Sequence, residues 1–180
     1  FDPAIGATTG SLLDIGCNLG DFTAHYAAQG FLALGLDYSP QLVAAAYERH
    51  GYPAGCSFMV LQLTPEKVRA LPRVDVTLLL SVHHHWLATW GPEVAGTMLR
   101  QVVARTRRVV IFESASRNVR FGDHAPGFVD NDEASVTAYH EAYLREHLGE
   151  DVEITPLGKT RCVGEREPYR WAWAIRKRRA

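Results

Sequence analysis

The chain reads as an α/β protein with a doubly wound, mostly parallel seven-stranded sheet and helices on both faces. Three observations predict it. Short apolar runs alternate with segments of helical period along the whole length. The first run, SLLDIG, opens onto a turn holding Asp14, Gly16, Asn18 and Gly20. A second run, LALGLD, ends on Asp37, seventeen residues after Gly20. A strand, a glycine-rich turn, a helix and a second strand closing on a carboxylate make a nucleotide-binding βαβ unit.

The elements follow in order. SLLDIG is the first strand, and Asp21 to Gln29 is a helix with a carboxylate at its positive end. LALGLD is the second strand. Pro40 opens the helix QLVAAAYERH and Gly51 ends it, the usual punctuation of a helix. SFMVLQL is a third strand. VDVTLLLSV is a fourth, apolar on both faces as a central parallel strand should be. Pro92 to Arg105 is a helix with Val94, Met98, Val102 and Val103 on one side. RRVVIFES is the fifth strand, and Asn131 to Leu148 is another helix. DVEITPLGKT and PYRWAWAIRK are two late strands, read as an antiparallel hairpin in which Trp171 and Trp173 share a core-facing side.

Size and charge narrow the function. A length of 180 residues predicts one domain over residues 1–180, with a single core. The net charge of −1 gives no global reason to expect nucleic acid or a membrane as partner. No signal peptide or spanning run is visible. Cys17, Cys56 and Cys162 are odd in number and lack metal-like spacing, so they read as reduced thiols in a cytoplasmic protein. The chain begins with Phe1 rather than Met, so loss of an N-terminal segment is expected. Oligomeric state is not legible.

The first turn carries the cofactor expectation. Gly16 and Gly20 are expected to let backbone approach a ligand where a Cβ would collide, and Asn18 tolerates positive φ. Asp37 is expected to accept hydrogen bonds from ribose hydroxyls. A dinucleotide fingerprint needs G-x-G-x-x-G for its pyrophosphate, whereas this turn is D-x-G-x-N-x-G. That pattern resembles class I S-adenosylmethionine-dependent methyltransferases, with Asn18 in place of a middle glycine. The resemblance runs from Leu12 to Lys177. It implies S-adenosyl-L-methionine as cofactor and the strand order 3-2-1-4-5-7-6 with strand 7 antiparallel. It also implies that the helix usually preceding the first strand is missing or shortened to FDPAIGATTG.

Ligands of doubly wound sheets bind beyond the carboxyl ends of the strands. The cofactor set is therefore Asp14, Gly16, Asn18, Gly20, Asp37, Tyr38, Gln62, Leu63 and Ser81. Within it, Tyr38 and Leu63 are expected to sandwich adenine, and the methyltransferase resemblance implies that Gln62, where the family often has Asp, accepts the adenine amino group through its amide oxygen. The fourth strand runs into His83, His84, His85 and Trp86. Histidine is the natural base near neutral pH, and the methyltransferase resemblance, which places a polar or histidine residue near the second of these positions, implies the order His84, His85, His83. No metal is expected, because adjacent histidines diverge and a chelate would need distant helpers such as Glu113 or His124. Leu80, Ser81, Trp86, Trp90 and Gly91 also faintly resemble the Bin3-like methyltransferases, which modify phosphate-bearing acceptors.

The acceptor wall is assigned to Trp86, Glu113, Arg117 and Arg120. Convergence of Arg117, Arg120, Arg161, Arg166 and Arg170 would suit a phosphate or carboxylate. The expected activity is O-methylation of a small-molecule acceptor with a histidine as general base. The alternatives are an RNA or phosphate-group methyltransferase, a non-catalytic cofactor-binding subunit, and a nicotinamide-dependent oxidoreductase.

Overall fold

The computed structural model describes residues 2–6, 8–114, 127, 132–161 and 169–178. Seven strands form one sheet: β1 (Gly10–Ile15), β2 (Phe31–Asp37), β3 (Cys56–Val60), β4 (Val74–Leu80), β5 (Thr106–Glu113), β6 (Val152–Arg161) and β7 (Tyr169–Lys177). Their order is β3-β2-β1-β4-β5-β7-β6. The first five are parallel, and β7 runs antiparallel to both β5 and β6. The sheet thus has the order and the hairpin expected above.

The helices are α1 (Asp2–Ile5), α2 (Asp21–Ala28), α3 (Pro40–His50), α4 (Pro65–Val68), α5 (His83–Arg105) and α6 (Glu133–Leu148). Local chemistry sets their ends. Ser39 caps α3 by accepting the Leu42 N–H at 3.3 Å, Pro40 follows, and Gly51 closes the helix at φ 69°. Asp132 caps α6 through the N–H groups of Ala134 and Ser135. Among the described residues, no helix is long and apolar enough to cross a membrane.

Two apolar layers flank the sheet. One gathers Leu13, Leu79, Val110 and Phe112 with α5, α6, Trp171 and Trp173. The other gathers Leu12, Val76, Leu78 and Ile111 with α1, α2 and α3. Alternate residues of β1, β4 and β5 therefore enter opposite layers, which is why those strands are apolar throughout. The sheet reverses winding between β1 and β4, and a crevice opens at their carboxyl ends.

Some expectations need correction. The third strand stops at Val60 rather than Leu63, because its partner β2 ends at Asp37, opposite Val60. The helix after β4 begins at His83, not Pro92. It is broken within its length: Gly91 has φ 79° and ψ 169°, so His83–Trp90 is a separate helical segment and Pro92 starts the next. The one-turn helices α1 and α4 are too short for periodicity to show them. Segment α1 is held by the Tyr26 hydroxyl donating to Asp2 Oδ1 at 2.8 Å and by Arg176 donating to the Ala4 carbonyl.

Candidate functional site at the carboxyl ends of the strands

The turn after β1 contains three residues at positive φ: Gly16 (74°), Asn18 (51°) and Gly20 (77°). Gly16 and Cys17 both donate their N–H to the Leu36 carbonyl, at 2.7 and 2.9 Å. That locks the turn onto the end of β2. Asp37 completes the lock, accepting the Asn18 N–H on Oδ2 at 3.0 Å and the Ser39 N–H on Oδ1 at 2.9 Å. Each carboxylate oxygen is thus held by one donor and keeps a further lone pair.

Protein packing also requires glycine at two of these positions. A Cβ on Gly16 would lie 2.3 Å from Val82 Cγ2, and one on Gly20 would lie 2.4 Å from Phe58 Cε1. Their missing side chains make room for these protein neighbours. Gly20 caps α2 and is not among the cavity's lining residues.

Asp14 is buried and accepts a 2.7 Å hydrogen bond from the Thr23 hydroxyl. Burial pushes its pKa up to about 6, opposed by the Thr23 bond and aided by Asp37. Cys17 is pushed up to about 12, first by burial and then by the charges of Asp14 and Asp37, so its thiol stays protonated.

Opposite this turn, the ends of β4, β5 and β7 meet. Ser81, at φ 55°, donates its hydroxyl to Glu113 Oε1 at 2.6 Å and accepts from Arg170 Nη1. Arg170 and Glu113 also form an ion pair at 3.7 Å. The first segment of α5 stands beside them. The His84 and His85 rings lie 3.9 Å apart, centroid to centroid. Burial pushes His84 down to about 3, assisted by repulsion from His85 and Arg170. His85 is exposed. Partial burial of its ring lowers it too, while the Asp37 charge opposes the shift.

These walls enclose a cavity of about 720 Å³. Asp14, Gly16, Asn18, Asp37, Tyr38, Gln62 and Leu63 line one wall. Ser81, His84, His85, Trp86 and Glu113 line the other. His83 does not. It is buried in the α5–α6 layer, ringed by Trp86, Phe112 and Tyr143, with Nε2 3.1 Å from the Tyr143 hydroxyl. Arg117, Arg120, His124, Cys162 and Arg166, with the side chain of Arg161, lie outside the described residues.

The cavity also takes in Phe22, Thr89, Trp90 and Arg170. Thr89 and Trp90 stand four residues after His85 and Trp86. The i, i+4 spacing would have found them had the segment been read as helical. Arg170 reaches Ser81 through strand register, which its place among the cations of the sequence does not show. Among the described residues, the metal-compatible trio is Glu93, Glu146 and His147, whose ligand atoms lie within 4.8 Å of one another outside this cavity.

Comparison with known proteins agrees with this architecture. Residues 13–110, more than half of the chain, match a family model described as a methyltransferase domain. No curated protein sequence matches. Among solved structures, the bifunctional kinase-methyltransferase WbdD superposes with a TM-score of 0.74 at 21% identity, covering 99% of this chain and 37% of WbdD. This chain therefore spans little more than a third of that protein. Magnesium protoporphyrin IX methyltransferase from Synechocystis PCC 6803, solved with bound SAM, gives a TM-score of 0.68 at 22% identity, covering 98% of this chain and 74% of that one. A structure described as showing conversion of a disulfide bond into a thioacetal group in echinomycin biosynthesis gives 0.62 at 20% identity, with coverage of 98% and 78%. At these identities the structural likeness establishes the fold.

Proposed function

The chain belongs to the methyltransferase-domain family, and we propose that it is an S-adenosylmethionine-dependent enzyme that methylates an oxygen of a small-molecule acceptor. The observation that carries this reading is Asp37. Its two oxygens are held by the Asn18 and Ser39 N–H groups where β2 ends against the cavity, an acceptor pair that fits a vicinal diol such as ribose. Gln62, Tyr38 and Leu63 beside it suit an adenine ring and its amino group. Asp14 supports the turn from below through Thr23.

When bound, the cofactor supplies an electrophilic methyl group on a sulfonium and departs as a thioether. The remaining work is positioning, exclusion of water and removal of one proton. Trp86 and Trp90 form an apolar flank for the acceptor. His85 is the better-placed base. It is neutral at pH 7, lines the cavity, and is less buried than His84, so it keeps more of its basicity. The His84 ring lies against it, 3.9 Å away centroid to centroid. Ser81, Glu113 and Arg170 form a charge-compensated wall, which favours a neutral hydroxyl-bearing acceptor over a phosphate or carboxylate.

Calorimetry tests the cofactor half. S-adenosylmethionine and S-adenosylhomocysteine should bind, and NAD should not bind comparably. Asp37→Ala should weaken binding at least tenfold, since a charge-assisted hydrogen bond contributes about 1.5–3 kcal/mol. Unchanged affinity in a folded Asp37→Ala protein would refute the ribose assignment.

A further inference from the structure

The segment His83–Trp90 carries the acceptor wall, yet it is only eight residues long and is cut off at Gly91. An isolated helix of that length does not persist in water. Tertiary contacts must hold it. Trp86 and Leu87 bury one side. The other restraint comes from α6. The Tyr143 hydroxyl lies 3.1 Å from His83 Nε2 and 3.1 Å from the Pro92 carbonyl oxygen. These two partners sit at the first residue of the segment and just past its last.

The proton arrangement follows from valence. A carbonyl cannot donate, so Tyr143 gives its single proton to Pro92 O. Its oxygen then accepts from His83, which must carry the hydrogen on Nε2. Burial and the neighbouring His140, His147 and His84 keep His83 neutral, with its pKa pushed down to about 3. His83 therefore holds one defined tautomer.

We propose that Tyr143 is a positioning residue for methyl transfer, its one hydroxyl tethering both ends of His83–Trp90 and so setting the acceptor wall. His83 is then a tether and not a base. The consequence for the reaction rests on the function proposed above; the tether itself does not. Tyr143→Phe removes one oxygen and keeps the ring contacts with His83 and His147, at 5.1 and 4.4 Å.

The test follows indole N–H resonances and amide hydrogen exchange, without cofactor and with S-adenosylhomocysteine as the probe ligand. In Tyr143→Phe, the indole signals of Trp86 and Trp90 should shift or broaden while that of Trp171 stays. Exchange over residues 84–90 should quicken about tenfold or more, with residues 94–105 unchanged. Affinity for S-adenosylhomocysteine should stay within about twofold. His83→Ala should repeat the effect, and His83→Gln, whose amide can reach the same hydroxyl, should restore the wild-type pattern. Unmoved indole signals overturn the proposal. So does exchange that quickens equally in both halves of α5, which would mark general destabilisation. If the wild-type protein fails to bind S-adenosylhomocysteine, the methyltransferase reading fails while the cofactor-free measurements still decide the tether.

Discussion

Mild acid should destabilise this protein markedly, because three histidines are buried in their neutral form. His83 and His84 are held down to about 3 and His140 to about 4, in each case chiefly by burial. In the unfolded chain each titrates near 6.5, so between that value and the folded one the unfolded state binds more protons. Stability is therefore full above about pH 6.5 and is lost as pH falls toward the folded values. Moving from about pH 7.5 to about 5.5 costs about 1.4 kcal/mol per histidine, or about 4 kcal/mol together. Asp14 acts in the opposite sense. Its carboxyl is raised from 3.8 to about 6, so the folded state takes up a proton first. At pH 5.5 that returns about 0.8 kcal/mol, leaving a net loss of about 3 kcal/mol. Urea denaturation at the two pH values, followed by far-ultraviolet circular dichroism, reads this directly. With a slope near 2 kcal/mol per molar urea, the midpoint should fall by about 1.5 M at the lower pH. His140→Leu should remove about a third of the histidine effect. An equal or higher midpoint at pH 5.5 would show that these imidazoles are not buried neutral, and the α5–α6 packing described above would be wrong.

Other outcomes follow from the same geometry. His85→Ala should lower kcat about a hundredfold or more while S-adenosylhomocysteine affinity stays within about twofold, and His84→Ala should do less. Because both imidazoles are depressed, the wild-type rate should show no inflection near 6.5; an inflection there that His85→Ala abolishes would refute the depressed pKa. Gly20→Ala should cost about 2 kcal/mol or more, from positive φ and from collision with Phe58 and Ala46, and a neutral result in thermal unfolding would contradict the packing at that turn.

Local chemistry made much of this molecule readable. The turn from Asp14 to Gly20 announces itself because only a few residue types accept positive φ, and they cluster there. Pro40 and Gly51 bracket a helix because each restricts or frees its own backbone torsions. Asp37 stands out because a carboxylate closing an apolar run is costly unless something binds it. Alternation of strands and helices then leaves few layer arrangements open, and the resemblance carried by the first turn supplied the strand order.

What tertiary structure alone decided is what depends on distant partners. The third strand reads through to Leu63, but it ends where its neighbour β2 runs out of backbone to pair with. Both glycines were legible as glycines; that Val82 and Phe58 occupy their space was not. Register, not sequence proximity, brings Arg170 from β7 to Ser81 and Glu113. The three histidines are chemically identical in sequence, and the helix that begins at His83 sends one into the core, one to the cavity edge and one toward solvent. Their protonation follows from that sorting, because the cost of a charge depends on the dielectric and neighbours around it, which a sequence does not list but a fold assembles.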